Sequence, residues 1–183
     1  RGEGATARRG GMLAQLSDLG RARVGNGIPI DPRPGDLGAV VQTVVSEAEL
    51  RRGTTELEVD VSGDVTGTWD LTRVSRRAAN LVTNALQHGD KSAPVAVRLD
   101  GTDPDAIVLS VANAGVIPDE LLPQIFEPFR RGSTSSKGLG LGLYIVREIA
   151  TVHGGSVSVT STAKTGTRFE VRLPRHAPPQ AAS

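Results

Sequence analysis

Residues 80–89 read NLVTNALQHG and belong to a long segment whose apolar residues have helical spacing. Asp70 is suited to cap this helix, which we expect to run to about His88. Asn80 and Asn84 are four residues apart, so a helix projects both amides from one face. The buried face of the helix is expected to carry Leu71, Val74, Ala78, Leu81, Val82 and Ala85. A helix with an apolar face and a pair of amides is therefore predicted.

Two further helices and five strands are predicted around this helix. Asp36 is suited to cap a helix that ends at Gly53, and the last helix covers roughly Gly140 to Val152. Alternating apolar residues predict strands at 57–61, 95–99, 107–111, 157–159 and 169–173. A Gly/Asp/Pro turn makes the second and third strands an antiparallel hairpin. These elements predict an α/β fold, a two-layer sandwich of a mixed, mainly antiparallel five-stranded sheet and three helices on one face.

Shifts in composition divide the chain into four parts. Residues 12–23 place apolar side chains on one helical face, and a Gly- and Pro-rich stretch follows them. Residues 113–138 are expected to be mostly irregular, with a short helix at Pro118 to Gln124. The Pro- and Ala-rich C-terminus is expected to be disordered. The predicted parts are a helical fragment at 1–24, a linker at 25–35, a domain at 36–174 and a disordered tail at 175–183.

The composition excludes several classes of function. Lys plus Arg number 21 against 20 Asp plus Glu, so the near-neutral chain gives no general reason to expect nucleic-acid or membrane binding. The absence of cysteine excludes disulfides and thiolate metal sites. The three histidines, His88, His153 and His176, are too scattered for a zinc cluster. No apolar run approaches the roughly 20 residues that span a bilayer.

Four segments in order resemble the N, G1, F and G2 boxes of histidine-kinase ATP-binding domains. They are NLVTNALQHG (80–89), VANAGVIP (111–118), IFEPFRRG (125–132) and GLGLGLYIV (138–146). The resemblance covers about residues 36–174 and extends to the superfamily shared with DNA gyrase and a heat-shock chaperone. It implies the histidine-kinase-like ATPase fold and ATP as the nucleotide. No G-x-x-x-x-G-K-[ST] motif occurs, so P-loop chemistry is not expected.

The resemblance implies that Asn84 is the direct ligand of Mg²⁺ and that Asn80 supports it as a second catalytic residue. Amide oxygens are hard ligands, which suit Mg²⁺. Hydrolysing relatives carry a Glu where Asn80 stands, and an amide cannot act as a general base, which favours phosphotransfer to a protein side chain. His88 matches a position near the nucleotide, whereas Gln87 replaces the usual Lys or Arg. The alternatives are a hydrogen-bonded amide pair and a packed histidine.

The second box departs from the family pattern. The residue that accepts a hydrogen bond from the adenine amino group is usually Asp, and here it is Asn113, whose carbonyl can accept the same bond without charge. We therefore expect adenine selectivity to survive with weaker affinity. Gly115 and Ile117 complete this nucleotide-binding loop, which is one residue shorter than the family pattern. An ordinary hairpin turn is the alternative.

The third box predicts a lid over the nucleotide. Phe126 and Phe129 flank a proline in an irregular segment, and the family uses such aromatics to anchor a mobile lid. Arg130 is the candidate catalytic cation at the γ-phosphate, and Arg131 and Lys137 are candidate nucleotide contacts. A solvated basic loop is the alternative for any one of these cations.

The fourth box alternates glycine with leucine and runs directly into an amphipathic helix. Glycine lets backbone N–H groups approach phosphate, and the helix N-terminus adds a favourable partial positive charge. Thr167, before the final strand, resembles a minor motif that lines the pocket, although a hairpin turn explains it equally well. His153 is interpreted as a helix-end residue rather than a ligand. The predicted phosphate-binding residues are Gly138, Leu139, Gly140, Leu141 and Gly142.

The resemblance implies the catalytic domain of a two-component sensor histidine kinase. Residues 1–24 would end the second dimerisation helix, and the phosphoacceptor histidine would lie upstream, outside this chain. The implied partners are ATP, a response-regulator receiver domain and a second copy through the upstream helices, in the cytoplasm and without membrane contact by this fragment. Three alternatives remain open: a weakened nucleotide-binding regulatory module, an anti-sigma-type serine kinase, and a hydrolytic ATPase.

Overall fold

The structure, a computed structural model, describes residues 27–129 and 141–179. Three α-helices and seven strands occur within these ranges. The helices are α1 (Leu37–Glu49), α2 (Leu71–His88) and α3 (Gly142–Val152). The strands are β1 (Arg33–Asp36), β2 (Leu57–Gly63), β3 (Thr66–Trp69), β4 (Val95–Gly101), β5 (Ala106–Asn113), β6 (Ser156–Thr162) and β7 (Gly166–Pro174).

Five strands form the main sheet in the order β2-β4-β5-β7-β6. β2 pairs with β4 in parallel, and the other three pairs are antiparallel. Side chains alternate between the two faces of a strand, so one face of this sheet is apolar. Its central strands bury Val95, Val97, Leu99, Ile107, Leu109, Val111, Phe169, Val171 and Leu173. The predicted fold class, a mixed and mainly antiparallel five-stranded sheet with three helices, is confirmed.

The helices pack their apolar faces onto this sheet through one aliphatic core. The Asp36 carboxylate caps α1 by accepting a 2.7 Å bond from the N–H of Gly38, as predicted. Asp70 caps α2 in the same way, with a 3.1 Å bond from the N–H of Arg73. The predicted inward residues of α2 are buried, namely Val74, Ala78, Leu81, Val82 and Ala85, whereas Leu71 is half-buried. No helix among the described residues is long and apolar enough to span a membrane.

Segments outside the predicted domain 36–174 also pack in the fold. Ile28 and Ile30, in the predicted linker 25–35, are buried. β1 pairs with β3 as a separate two-stranded sheet that the sequence did not predict. Strands of four residues are too short to show an alternation of apolar and polar side chains in the sequence. Proline and glycine weaken the signal further, so these strands are defined only by their pairing with each other.

The predicted disordered tail begins as an ordered segment. The N–H of Thr68 donates to the carbonyl of Arg175 at 2.8 Å, and the N–H of Ala177 donates to the carbonyl of Thr68 at 2.9 Å. The indole N–H of Trp69 donates to the carbonyl of Pro174 at 2.7 Å. These bonds tie the end of β7 to β3, which composition alone could not reveal.

Smaller differences concern helix lengths. The short helix predicted at Pro118 to Gln124 is a single 3₁₀ turn at Leu122–Gln124. Helix α1 ends at Glu49, before Gly53, which lies in the following turn with φ +63°. The last predicted helix is present from Gly142 to Val152. The helical fragment predicted at 12–23 lies outside the described residues.

His153 joins the end of α3 to the start of α2. Its side chain is fully buried, and its Nε2 accepts a 3.1 Å bond from the N–H of Asp70. Its Nδ1 is 2.7 Å from the carbonyl of Ile149, to which it donates in the neutral tautomer. Burial lowers the pKa of His153, opposed by the hydrogen bond to Ile149 and the charge of Asp70, while the charge of Arg73 lowers it further. His153 is therefore a structural residue, as interpreted from the sequence.

The burial of neutral His153 predicts a stability that falls in mild acid. Because its folded-state pKa lies below the unfolded value of 6.5, its contribution is complete above that pH and is lost as the pH falls from 6.5 through the folded-state pKa. The slope for one proton is at most about 1.4 kcal/mol per pH unit. In His153→Gln, an amide that does not titrate can replace both hydrogen bonds. Urea unfolding between pH 7.5 and 5.5 should show a smaller loss for this variant than for the wild type, and equal slopes would contradict the prediction.

Candidate nucleotide-binding site

The polar face of α2 carries three of the predicted site residues. Asn80, Asn84 and His88 are spaced four residues apart and therefore lie along one side of the helix. Asn80 and Asn84 are half-buried, and His88 is exposed. The side-chain nitrogen of Asn80 is buried and has no hydrogen-bond partner among the described residues. A buried donor without a partner is costly in a folded protein, which marks this face as a place for a polar ligand.

The loop after β5 lies directly against the C-terminal end of α2. A Cβ added at Gly115 would be 2.3 Å from the carbonyl oxygen of His88, and one at Gly89 would be 3.0 Å from the Cβ of Asn113. The 2.3 Å distance is shorter than real Cβ contacts, so this approach requires glycine at 115; at Gly89, where a Cβ would also be 2.7 Å from the carbonyl oxygen of Ala85, glycine is required as well. The contact brings His88, Asn113 and Gly115 together, as the sequence predicted for one site.

A chain of hydroxyl groups holds this loop in place. The N–H of Ile117 donates to the Ser161 hydroxyl at 2.8 Å, and the Thr167 hydroxyl donates to the carbonyl of Gly115 at 2.8 Å. The two hydroxyls are 2.8 Å apart, and because Thr167 already donates to Gly115, Ser161 is the donor between them. Asn113, Thr167 and Ser161 are neighbours in register across β5, β7 and β6. The end of the sheet therefore fixes both ends of the loop.

Phe126, from the third box, packs against a strand of the main sheet. The ring of Phe126 meets that of Phe169 edge to face, with centroids 6.1 Å apart and an interplanar angle of 81°. Ile125 beside it is buried. Phe129 is 46% exposed and has a φ of +58°, which is unusual for a residue with a side chain. The segment is anchored at Phe126 and turns outward at Phe129.

The start of α3 is uncrowded by the described part of the chain. Leu141 occupies the N-cap position, and no described side chain caps the helix there. A Cβ added at Gly142 would have no described atom within 4 Å. The side chain of Leu141 is buried with Ile28, Ile145 and Ile149, so only its backbone is available to a ligand. The first N–H groups of a helix favour anions, and the phosphate-binding role of the start of α3 stays a prediction.

The remaining predicted site residues lie outside the described ranges. They are Arg130, Arg131, Lys137, Gly138, Leu139 and Gly140. Their roles in phosphate binding therefore stay predictions.

Ser161 and Gly89 are site residues that the sequence analysis missed. In β6, Val157 and Val159 are partly buried on the inward face, and Ser161 continues their alternation with a buried hydroxyl. A polar residue at an inward-facing strand position could have been recognised in the sequence as a candidate for a buried hydrogen bond. Gly89 had no such signal, because its close contact with Asn113 is made by a residue distant in sequence.

Residues 69–177 match the family model described as the histidine kinase-, DNA gyrase B- and HSP90-like ATPase. The chain belongs to this family. Among curated proteins, this chain is 33% identical over 168 residues to the bacteriophytochrome of Pseudomonas aeruginosa. The alignment covers 89% of this chain and 23% of that protein. The domain spans less than half the length of the first curated relatives that it matches.

Solved histidine kinases share the fold of this ATPase domain. The mycobacterial sensor histidine kinase MprB matches with a TM-score of 0.71 and 29% identity, over 80% of this chain and all of that one. Full-length ShkA, solved in complex with AMPPNP, matches with a TM-score of 0.75 and 26% identity, over 92% of this chain and 36% of that one. The ATPase domain is thus the ATP-binding catalytic type found in sensor histidine kinases, and the comparisons favour this identity over the alternatives of a regulatory module or an anti-sigma-type kinase.

The residues of the ATPase domain fit a nucleotide with its metal. Within the described residues, the buried side-chain nitrogen of Asn80 has no hydrogen-bond partner, and no side chain caps the N-terminus of α3. Asn84 offers an amide oxygen from the same helix face, a ligand type that Mg²⁺ accepts. Donors for phosphate and an oxygen for a hard cation are therefore both present.

Proposed function

We propose that this domain binds ATP with Mg²⁺ and transfers the γ-phosphate to a histidine outside this chain. The observation that carries the proposal is the polar face of α2, which offers the amides of Asn80 and Asn84 and no carboxylate. Helix α2 contains no Asp or Glu from Leu71 to His88. Because an amide cannot remove a proton from water, this face can bind the nucleotide without promoting its hydrolysis.

Each part of the site has a role in this proposal. Asn84 would hold Mg²⁺ through its amide oxygen, and Asn80 would donate a hydrogen bond within the same site. Bound Mg²⁺ neutralises phosphate charge as it develops. The backbone at Leu141 and Gly142 would bind phosphate oxygens, together with the glycine-rich segment 138–140. The loop of residues 113–117 would hold the base, and His88 and Phe126 would border it.

Three cations complete the proposed phosphate site. Arg130 would act at the γ-phosphate, while Arg131 and Lys137 would bind the nucleotide. Thr167 would act through the loop that it holds, since its hydroxyl bonds the carbonyl of Gly115.

The relatives support a wider setting for the domain. Signal-transduction and sensor histidine kinases are among them. We propose that residues 1–24 end the second dimerisation helix of a homodimeric parent, that the acceptor histidine lies in its first helix, and that a response-regulator receiver domain takes the phosphate. The cytoplasm is the expected location.

Labelling with [γ-³²P]ATP and Mg²⁺ tests the proposed reaction. We expect this chain alone to bind ATP in calorimetry but to remain unlabelled. Label should appear on an added upstream segment of the parent protein, and it should be stable to base and labile to acid, as phosphohistidine is. The matched control is the same upstream segment with its histidine replaced by glutamine.

Three outcomes would overturn this function. Steady phosphate release without any acceptor would show a hydrolytic ATPase, and strong self-labelling of this chain on histidine would place the acceptor inside it. An absence of ATP binding would show a scaffold that has lost the nucleotide.

A further inference from the structure

Asn113 is oriented by its own loop. It ends β5, is buried, and its Oδ1 accepts a 2.9 Å hydrogen bond from the N–H of Gly115. A backbone N–H can only donate, so the atom facing Gly115 must be the amide oxygen. The other end of the amide is then Nδ2, a donor, which has no hydrogen bond to another described residue.

The surroundings of Asn113 oppose a reversal of this amide. Its backbone is enclosed, because a Cβ added at Gly166 would be 2.2 Å from its carbonyl oxygen and one at Gly89 would be 3.0 Å from its Cβ. Rotating the amide by half a turn would point Nδ2 at the N–H of Gly115, two donors facing each other. Gly115 is held in turn through its carbonyl by Thr167. The oxygen is therefore assigned to the loop and the NH₂ group to the other side.

A carboxylate at position 113 would offer the base only hydrogen-bond acceptors. Asn113 instead offers the base a hydrogen-bond donor. We propose that Asn113 presents its NH₂ group to the 6-position of the purine, so that the domain binds 6-oxo purine nucleoside triphosphates, such as those of inosine and guanosine, more tightly than ATP. This inference rests on the proposed nucleotide function. An oxygen at the 6-position accepts from Nδ2, whereas the amino group of adenine is itself a donor.

The inference replaces the expectation that the Asn113 carbonyl accepts from the adenine amino group. That contact would require Oδ1 to take a second hydrogen bond while it holds Gly115. The two arrangements predict opposite orders of affinity for nucleotides that differ only at the 6-position.

Calorimetry of the whole chain with Mg²⁺ and three triphosphates separates these orders. The nucleotides are ATP, inosine triphosphate and purine riboside triphosphate, which has no group at the 6-position. We expect the inosine nucleotide to bind about three- to tenfold more tightly than the purine riboside, the worth of one neutral hydrogen bond, and ATP to bind no more tightly than the purine riboside. The inference would be overturned if ATP bound more tightly and the inosine nucleotide less tightly than the purine riboside nucleotide, or if all three bound with equal affinity.

The substitution Asn113→Asp tests the same nucleotide preference in a variant protein. Its carboxylate can still accept from Gly115 and presents only acceptors to the base, so the ratio of ATP to inosine-nucleotide affinity should rise about tenfold or more. Ala163→Asp adds the same charge in the exposed β6–β7 turn and should leave the ratio unchanged. If Asn113→Asp does not fold, the wild-type series decides alone. Failure of all three nucleotides to bind would remove the proposed function with the inference, whereas selective ATP binding would remove only the inference.

Discussion

Asn84→Ala is expected to lower the affinity for ATP with Mg²⁺ by at least about 100-fold, because the loss of a direct metal ligand should exceed the 10- to 100-fold typical of its supporting groups. Asn84 is the amide in α2 that the site assigns to the cation, with Asn80 one turn before it. Among the described residues, the half-buried Asn84 side chain has no hydrogen-bond partner whose loss would unfold the helix. Calorimetry with and without Mg²⁺ measures the effect, and the magnesium-dependent part of the affinity should disappear.

Two matched variants separate ligand loss from damage to α2. Thr83→Ala changes an exposed neighbour on the same helix and should leave ATP affinity within about twofold, as surface substitutions usually do. Asn84→Asp keeps a hard oxygen ligand and should retain most of the binding. If Asn84→Ala bound ATP as tightly as Thr83→Ala, the assignment of Asn84 to Mg²⁺ would be wrong.

The main sheet and α2 could be predicted because their signals are local. The caps at Asp36 and Asp70 each bond a backbone N–H within three residues, so the cap and the helix it begins are read together. In β4 and β5 the buried residues alternate or run continuously, which identifies a strand without knowledge of its partner. The four boxes supplied the nucleotide residues by resemblance, and the structure brings those of the first two boxes together.

The features that could not be predicted depend on distant partners. β1 and β3 are separated by α1 and β2, and each is too short to show a period. The orientation of the Asn113 amide depends on the position of the Gly115 N–H, which a sequence motif does not specify. Ser161 joins Ile117 to Thr167 only because β6 and β7 pair in one particular register.

Arg175 makes contacts that the sequence could not predict. It lies in the predicted tail, and its guanidinium donates hydrogen bonds to four backbone carbonyls. Its Nη1 donates to Asp64 at 2.5 Å and to Thr66 at 3.3 Å. Its Nη2 donates to Gly101 at 2.6 Å and to Asp103 at 2.8 Å. These acceptors lie in the turn after β2, at the start of β3, at the end of β4 and in the turn after β4. One guanidinium therefore joins both turns to the end of β7.

Arg175→Ala should lower the free energy of unfolding by about 2–4 kcal/mol, since charged hydrogen bonds are each worth about 1.5–3 kcal/mol and the contributions are not additive. Only 14% of the side chain is exposed, so water cannot fully replace the lost donors. Arg175→Lys keeps the charge but lacks the planar fork and should recover part of the loss. Urea unfolding at pH 7.5 measures all three proteins.

Arg172→Ala is the matched control, at a position in β7 three residues before Arg175. Its guanidinium makes a 2.9 Å ion pair with Asp103 and is 51% exposed, so its removal should cost at most about 1 kcal/mol. Equal losses for the two arginines would contradict the assigned role of Arg175. Pro174 is seven residue steps along β7 from Thr167, about 23 Å at the rise of a strand, so Arg175→Ala should bind ATP normally below its unfolding transition. A parallel loss of ATP affinity would instead show that the β3 side of the fold controls the loop that holds the base.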